Sequence, residues 1–338
     1  MEKKQSIKAL KLGAIMVLLS FFGLVFIVSP VFPQKTYPNR NIELVCSYPP
    51  GGVVDTGTRA FADGLAKVIK VPVIVNNKGG ASGTVGTAFA AKAKKDGYTL
   101  LATLFSSMEI APITMGVEDE IPYVASRDFV PITMISDTPF MLVVRGDSPF
   151  KTVEDFIEFA KKNPGKLSYA SAGVGQEGHL NGEIFQEVAK VKIKQIPFKS
   201  AGEQGAALLG GHVDFQLSTP PAMMSNILAG TYRALAVCDT RRLSALPEIP
   251  TFAEKGYSTQ WMNLWVGLYA QTGVPKEIIN VLAQASEKVI KSKEYPERLA
   301  KFGSSTKYFT QAAIKEYYEK DTETARALLK RLGLTSKK

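Results

Sequence analysis

Tyr48-Pro49-Pro50-Gly51-Gly52-Val53-Val54-Asp55-Thr56 joins two segments of different periodicity. Before it, Ile42–Cys46 is a short apolar run that reads as a buried strand. After it, residues 58–70 carry the spacing of an amphipathic helix. Pro49 and Pro50 fix φ, while Gly51 and Gly52 admit backbone shapes that other residues avoid and let a ligand come close. The helix that follows offers unpaired N–H groups and a partial positive charge, so the unit can hold an anion by its main chain. The plainer reading is a tight strand-to-helix connection. Gly-Lys-Ser/Thr does not follow, so this is no phosphate-binding P-loop, and the third glycine of the dinucleotide fingerprint is missing.

Outward from this unit, strands and helices alternate. Strand readings fall at 73–76, 98–103, 130–135, 140–145, 167–171, 191–197, 213–217, 233–237 and 265–270. Helix readings fall at 83–94, 153–162, 179–189, 203–210, 220–229 and much of 276–334. Such alternation predicts an α/β fold with mainly parallel sheets, whose ligand sites lie at the carboxyl ends of strands. Four short loops rich in glycine, serine and threonine follow strands and lead into helices. They are 48–56, the loop carrying Ser106 and Ser107, the loop Ser171-Ala172-Gly173-Val174-Gly175-Gln176, and Ser218-Thr219. Each alone reads as a helix cap. Together they can converge on one cleft with hydroxyl and backbone N–H donors.

A chain of 338 residues suggests two domains at about 150 residues each. An apolar fraction of 45% and a charged fraction of 21% are ordinary for a globular protein. At the start, Lys3, Lys4, Lys8 and Lys11 precede an uncharged apolar stretch, 12–28, stopped by Pro30 and Pro33. This reads as a secretory signal over residues 1–34, cut between Val28 and Lys35. An uncleaved anchor is the alternative. The formal charge is +10; the leader's four lysines against Glu2 account for three of it, leaving +7. Basic residues are scattered without a stripe or interleaved aromatics, which argues against nucleic acid. Cys46 and Cys238 sit in separate apolar runs and read either as one disulfide or as two buried thiols.

Catalytic constellations are scarce. The two histidines, His179 and His212, have no metal-ligand neighbours at useful spacing, so neither metal nor cofactor is expected. His179 follows a glycine-rich loop and reads as a ligand contact or a helix-start hydrogen bonder; His212 reads as a surface turn. Lys199 reads as a loop lysine with an acidic ligand as the alternative. Asp55 reads as a helix-start carboxylate or a ligand contact.

Further motifs run in order along the chain. They are Tyr37-Pro38, Asp96-Gly97-Tyr98-Thr99-Leu100, Asn163-Pro164-Gly165-Lys166-Leu167 running into Tyr169-Ala170-Ser171, and His179-Leu180. Then come Leu208-Leu209-Gly210-Gly211-His212-Val213-Asp214, Arg233-Ala234-Leu235-Ala236-Val237, Leu246-Pro247-Glu248-Ile249-Pro250-Thr251 and Trp265-Val266-Gly267-Leu268. With the opening loop, this ordered set resembles the periplasmic solute-binding proteins of tripartite tricarboxylate transporters, the Bug family, across essentially the whole mature chain.

The resemblance implies a two-lobed, type II periplasmic-binding-protein-like fold, each lobe a mixed sheet flanked by helices, with a cleft between them. Lobe 1 would comprise 35–138 plus 259–338 and lobe 2 residues 139–258. A monomer would close on a small di- or tricarboxylate, or another organic acid, and deliver it to membrane transporter subunits. Ligand contacts implied on this basis are Tyr48, Gly51, Gly52, Asp55, Ser106, Ser107, Ser171, Gly173, Gly175, Gln176, His179, Ser218 and Thr219. Three departures bear on the ligand. Gln176-Glu177 replaces small or hydroxyl residues, Ala111 replaces an asparagine, and Ser218-Thr219 replaces an Asp-Asn-like pair. A negative Glu177 near the cleft would disfavour a highly charged tricarboxylate unless it faces solvent. Other readings are a ligand sensor for a signalling receptor and an enzyme acting on anionic substrates, the latter needing a titratable pair such as Asp55 with His179.

Overall fold

The first strand, β1 (Ile42–Cys46), has Ile42, Leu44, Val45 and Cys46 all buried. A strand apolar on both faces belongs inside a sheet covered on both sides. Such a sheet is what a computed structural model of the chain shows. It describes residues 37–114, 121–171, 175–198, 201–257 and 261–335, all within the unit Tyr37–Lys338. The leader at 1–34, Gly173, Lys199 and the lobe boundary near 258 therefore lie outside the described residues.

In chain order, β1 leads to α1 (Val53–Ile69), β2 (Val73–Asn77), α2 (Thr84–Ala91), β3 (Thr99–Leu104), β4 (Phe129–Thr138) and β5 (Met141–Arg145). There follow α3 (Val153–Lys162), β6 (Ser168–Ser171), α4 (Glu177–Ala189), β7 (Lys194–Pro197), α5 (Ala201–Leu209), β8 (Phe215–Ser218), α6 (Pro220–Leu228) and β9 (Tyr232–Val237). The chain closes with β10 (Leu264–Gln271), α7 (Lys276–Ile290), α8 (Glu294–Ala300) and α9 (Gln311–Arg331).

Two five-stranded sheets result, ordered β2-β1-β3-β10-β4 and β7-β6-β8-β5-β9. Each begins with three parallel strands and ends with two antiparallel pairings. The expectation of mainly parallel sheets is thus corrected to mixed ones. A parallel neighbour needs a crossover helix; β5 and β10 instead arrive from the other sheet and enter antiparallel. The chain crosses between sheets after β4 and again between β9 and β10.

Helices cover both faces of each sheet. On the first, Phe61 and Leu65 of α1 and Leu282 of α7 pack against Leu44, Leu100 and Leu268. Trp265 and Tyr269 on the opposite face meet Phe105 and Leu329 of α9. In the second lobe, Phe156, Phe185, Phe215 and Phe252 form an aromatic core. Each such side chain removed from water contributes about 2–3 kcal/mol. Cys46 and Cys238 are buried free thiols, the second of the two readings.

Local chemistry explains where elements begin. Thr152 caps α3 in a reciprocal capping box with Asp155, and Thr310 caps α9 through the Ala313 N–H. The segment read as one helix over 83–94 is instead a 3₁₀ turn, Ala81–Gly83, followed by α2. Short helical turns at Ser106–Ile110, Ala111–Thr114 and Ala125–Asp128 have no counterpart in the sequence reading.

Candidate functional site

The helix after β1 begins at Val53, not at residue 58, which places Gly52 at its N-cap. Val53, Val54, Thr56 and Gly57 are weak helix formers, and this hid the start. Asp55, in the first turn, compensates. Its carboxylate accepts hydrogen bonds from the Gly51 N–H at 2.9 Å, Asn77 Nδ2 at 2.7 Å and Arg59 Nε at 3.0 Å. Asn77 Nδ2 also donates to the Tyr48 carbonyl at 3.0 Å. Burial pushes the Asp55 carboxyl up, but the Arg59, Gly51 and Asn77 hydrogen bonds outweigh it and hold it below the usual carboxylate range. The loop is therefore locked from behind. Gly51, at φ +83°, makes the turn that aims the helix end outward.

That end opens into a cleft of about 480 Å³ between the lobes. Gly51, Gly52 and Val53 line it from α1; Gln176, Glu177 and Gly178 from α4; Ser218, Thr219 and Pro221 from α6. Three helix N-termini thus converge on one space, and none of their N-caps (Gly52, Gln176, Thr219) has a side-chain cap hydrogen bond. Their dipoles sum to a positive potential without any cationic side chain. The α1 and α4 ends offer first-turn N–H donors; α6 opens with two prolines and adds hydroxyls instead. Leu104, Phe140, Leu217, Leu264, Leu299 and Phe302 give the cleft an apolar floor and wall. Phe140 and Leu264 lie where the chain crosses between lobes.

The residues named from sequence fall into two groups. Tyr48, Gly51, Gly52, Gln176, Ser218 and Thr219 line the cleft. Asp55, Ser106, Ser107, Ser171, Gly175 and His179 do not, and several support the residues that do. Tyr48 Oη lies 2.8 Å from Ser107 Oγ and donates to the Ser82 carbonyl at 3.1 Å. Ser107 is held further by Tyr123, whose hydroxyl donates to its carbonyl at 2.5 Å. Ser171 Oγ accepts from Gln195 Nε2 at 2.7 Å. His179 is buried, which lowers its pKa and keeps the ring neutral. Its Nδ1 then accepts the Gly175 N–H at 2.9 Å, fixing the turn before α4. Asp55 and His179 have separate hydrogen-bond partners, so these two are not paired with each other.

Sequence reasoning did not name Thr56, Gln204, Leu299, Phe302 or Ser304 as cleft residues. The last three arrive from the distant segment around α8, and no strand-end rule points to them. Glu177, read from sequence as bearing on which ligand the cleft accepts, is 6% exposed and lines the cleft. Burial pushes its carboxyl up, and the Ser106 hydroxyl eases this in part. No lysine, arginine or histidine lines the cleft among the described residues. No group of three or more metal-ligating side chains is assembled there or elsewhere among them. No helix among them is long and apolar enough to cross a membrane.

Residues 58–334 match the family described as "Tripartite tricarboxylate transporter family receptor". The chain is 34% identical to Protein BugT of Bordetella pertussis over 287 residues, covering 84% of this chain and 86% of that one. A solved structure described as a periplasmic transporter superposes with a TM-score of 0.76 at 31% identity, covering 89% of this chain and 100% of its own. An R. palustris protein solved with adipate gives a TM-score of 0.76 at 26% identity, covering 88% and 99%. These are the family and the two-lobed fold of substrate-binding proteins rather than of enzymes. The chain belongs to the receptor family of the tripartite tricarboxylate transporters.

Proposed function

We propose that the protein is an extracytoplasmic receptor that captures a small carboxylate in the cleft, closes on it as a monomer and presents it to transporter subunits in the membrane. The observation that carries this reading is the convergence of three uncapped helix N-termini on one cleft without a cationic side chain. A carboxylate satisfies the orphan N–H groups and the dipoles at once. The adipate bound by the R. palustris relative is an anion of this kind.

Closure follows from where the ligand groups stand. Gly51 and Gly52 belong to the first lobe, Gln176 and Thr219 to the second, and a ligand touching both favours the state in which they are near. Lobe 1 is assigned 35–138 with 259–338, and lobe 2 139–258, moving about the two crossings. Asn181 of α4 links the two lobes beside the return crossing. Its side chain donates to the Met262 carbonyl at 2.8 Å and accepts the Met262 N–H at 2.9 Å, tying the helix that enters the cleft to the return crossing. Asp55 and His179 serve as positioning groups, and the protein is assigned no reaction. The basic leader is read as an export signal.

A thermal-shift screen against organic acids tests this. A ligand that binds only the folded chain, present at 100 times its Kd, adds about 2.7 kcal/mol. For a protein of this size that corresponds to a rise in Tm on the order of 5–10 °C. Failure of every organic acid to raise Tm would sink the carboxylate reading.

A further inference from the structure

Among the described residues Glu177 is the one ionisable carboxyl lining a cleft into which three helix N-termini point. It opens α4, is 6% exposed, and no cationic group among the described residues acts on it. Ser106, beside it from the opposite lobe, is fully buried, and its Oγ has no partner in hydrogen-bonding geometry. Tyr48 Oη and Ser107 Oγ are 2.8 Å apart, and both donate to the Ser82 carbonyl, at 3.1 and 2.8 Å. The cleft therefore has two unlike ends. At Gly51, Gly52 and Val53 it presents main-chain donors; at Glu177 it presents a largely buried carboxyl, with the fully buried Ser106 hydroxyl behind it.

A buried charge with no counter-charge is costly, and so is a buried hydroxyl without a partner. A ligand ammonium supplies the counter-charge that Glu177 lacks, whereas a second ligand carboxylate would face a like charge in a poorly solvated space. We propose that Glu177 makes the cleft select a monocarboxylate carrying a protonated amine, an amino acid in zwitterionic form, over a di- or tricarboxylate of the same length. The ligand's carboxylate lies at the α1 terminus and its ammonium against Glu177, which Ser106 backs from the first lobe. This rests on the carboxylate reading of the cleft and narrows it.

Calorimetric titration decides it, using a ladder of ω-amino carboxylates of two to six carbons, each paired with the dicarboxylate of equal length. In the native protein the best-fitting amino carboxylate is expected to bind at least about 30-fold tighter than its dicarboxylate partner. Glu177→Gln keeps the shape and removes the charge. It should weaken the amino carboxylate about 100-fold and narrow or reverse the preference, with Tm little changed. Ser106→Ala, which leaves Glu177 in place, should weaken the same ligand several-fold. If dicarboxylates bind tighter than their partners in the native protein, the proposal falls while the carboxylate reading stands. A preference for amines that survives Glu177→Gln removes Glu177 from its role. Absence of binding by any member of the ladder overturns both readings.

Discussion

Gly52→Val is expected to abolish carboxylate binding, by at least about 100-fold, while the protein stays folded. The two halves of this result have separate causes. Gly52 sits at φ −80° and ψ 174°, a conformation any residue adopts, so a side chain brings no backbone strain. A Cβ built there meets only the Pro49 carbonyl, at 3.9 Å. The folded state loses a tolerable N-cap and gains a poor one, worth about 1 kcal/mol, so Tm should fall by no more than about 3 °C. The added methyl groups, however, project where the cleft begins, over the first-turn N–H groups of α1. A carboxylate cannot approach donors that a branched side chain covers, and charge-assisted hydrogen bonds are lost together. Titration with a carboxylate that stabilises the native protein checks this. Unchanged affinity would remove the loop from the site.

The second large effect is on stability and its pH dependence. Asp137 lies near the end of β4, where the chain is about to cross between lobes, and is paired through its backbone with Ser305. Its Oδ1 is buried without a partner, and Oδ2 accepts only from Asn263 Nδ2, at 3.2 Å. Burial, with Asp239 adding repulsion, pushes this carboxyl up to about 7 despite Asn263 and Arg241. Asp321, which accepts the Trp265 indole N–H at 2.8 Å, is raised by burial to about 6. Both carboxyls keep their protons in the folded chain at pH values where the unfolded chain has lost them. Their contribution is fully present below about pH 4 and is lost as pH rises through 6 and 7. At pH 8 the cost of holding Asp137 ionised is on the order of 2–4 kcal/mol. Asp137→Asn should therefore raise Tm at pH 8 by several degrees and shrink the decline between pH 5 and pH 8. Melting curves of both proteins across that range check it; parallel curves would show that Asp137 is not strained in its charged form.

Much of the fold was legible because local chemistry and long-range order agreed. The strand–Pro-Pro-Gly-Gly–helix unit announced an α/β chain, and Thr152 with Asp155 marked the start of α3. What stayed hidden depended on distant partners. The turn Ser106–Ile110 carries no capping signal. It is held by Glu109, whose carboxylate accepts from Tyr318 Oη at 2.6 Å and Arg326 at 3.1 Å, both on α9. The antiparallel entry of β5 and β10 could not be read either, because a strand's alternation does not record its direction. In the cleft, polar loops at strand ends were readable, whereas Phe302 and Ser304 reach it only after a long excursion. Glu177 was visible as a charge; only its burial against Ser106 gives that charge a use.

A ligand carboxylate is expected to sit on the N-terminus of α1, within a cleft that both lobes close. A crystal structure of the protein with the organic acid that stabilises it most tests this directly. A carboxylate group is expected within about 3 Å of the main-chain N–H groups that follow Gly52, with residues of α4 or α6 touching the same molecule. A ligand bound elsewhere, or held by one lobe alone with the α1 terminus left to water, would contradict it.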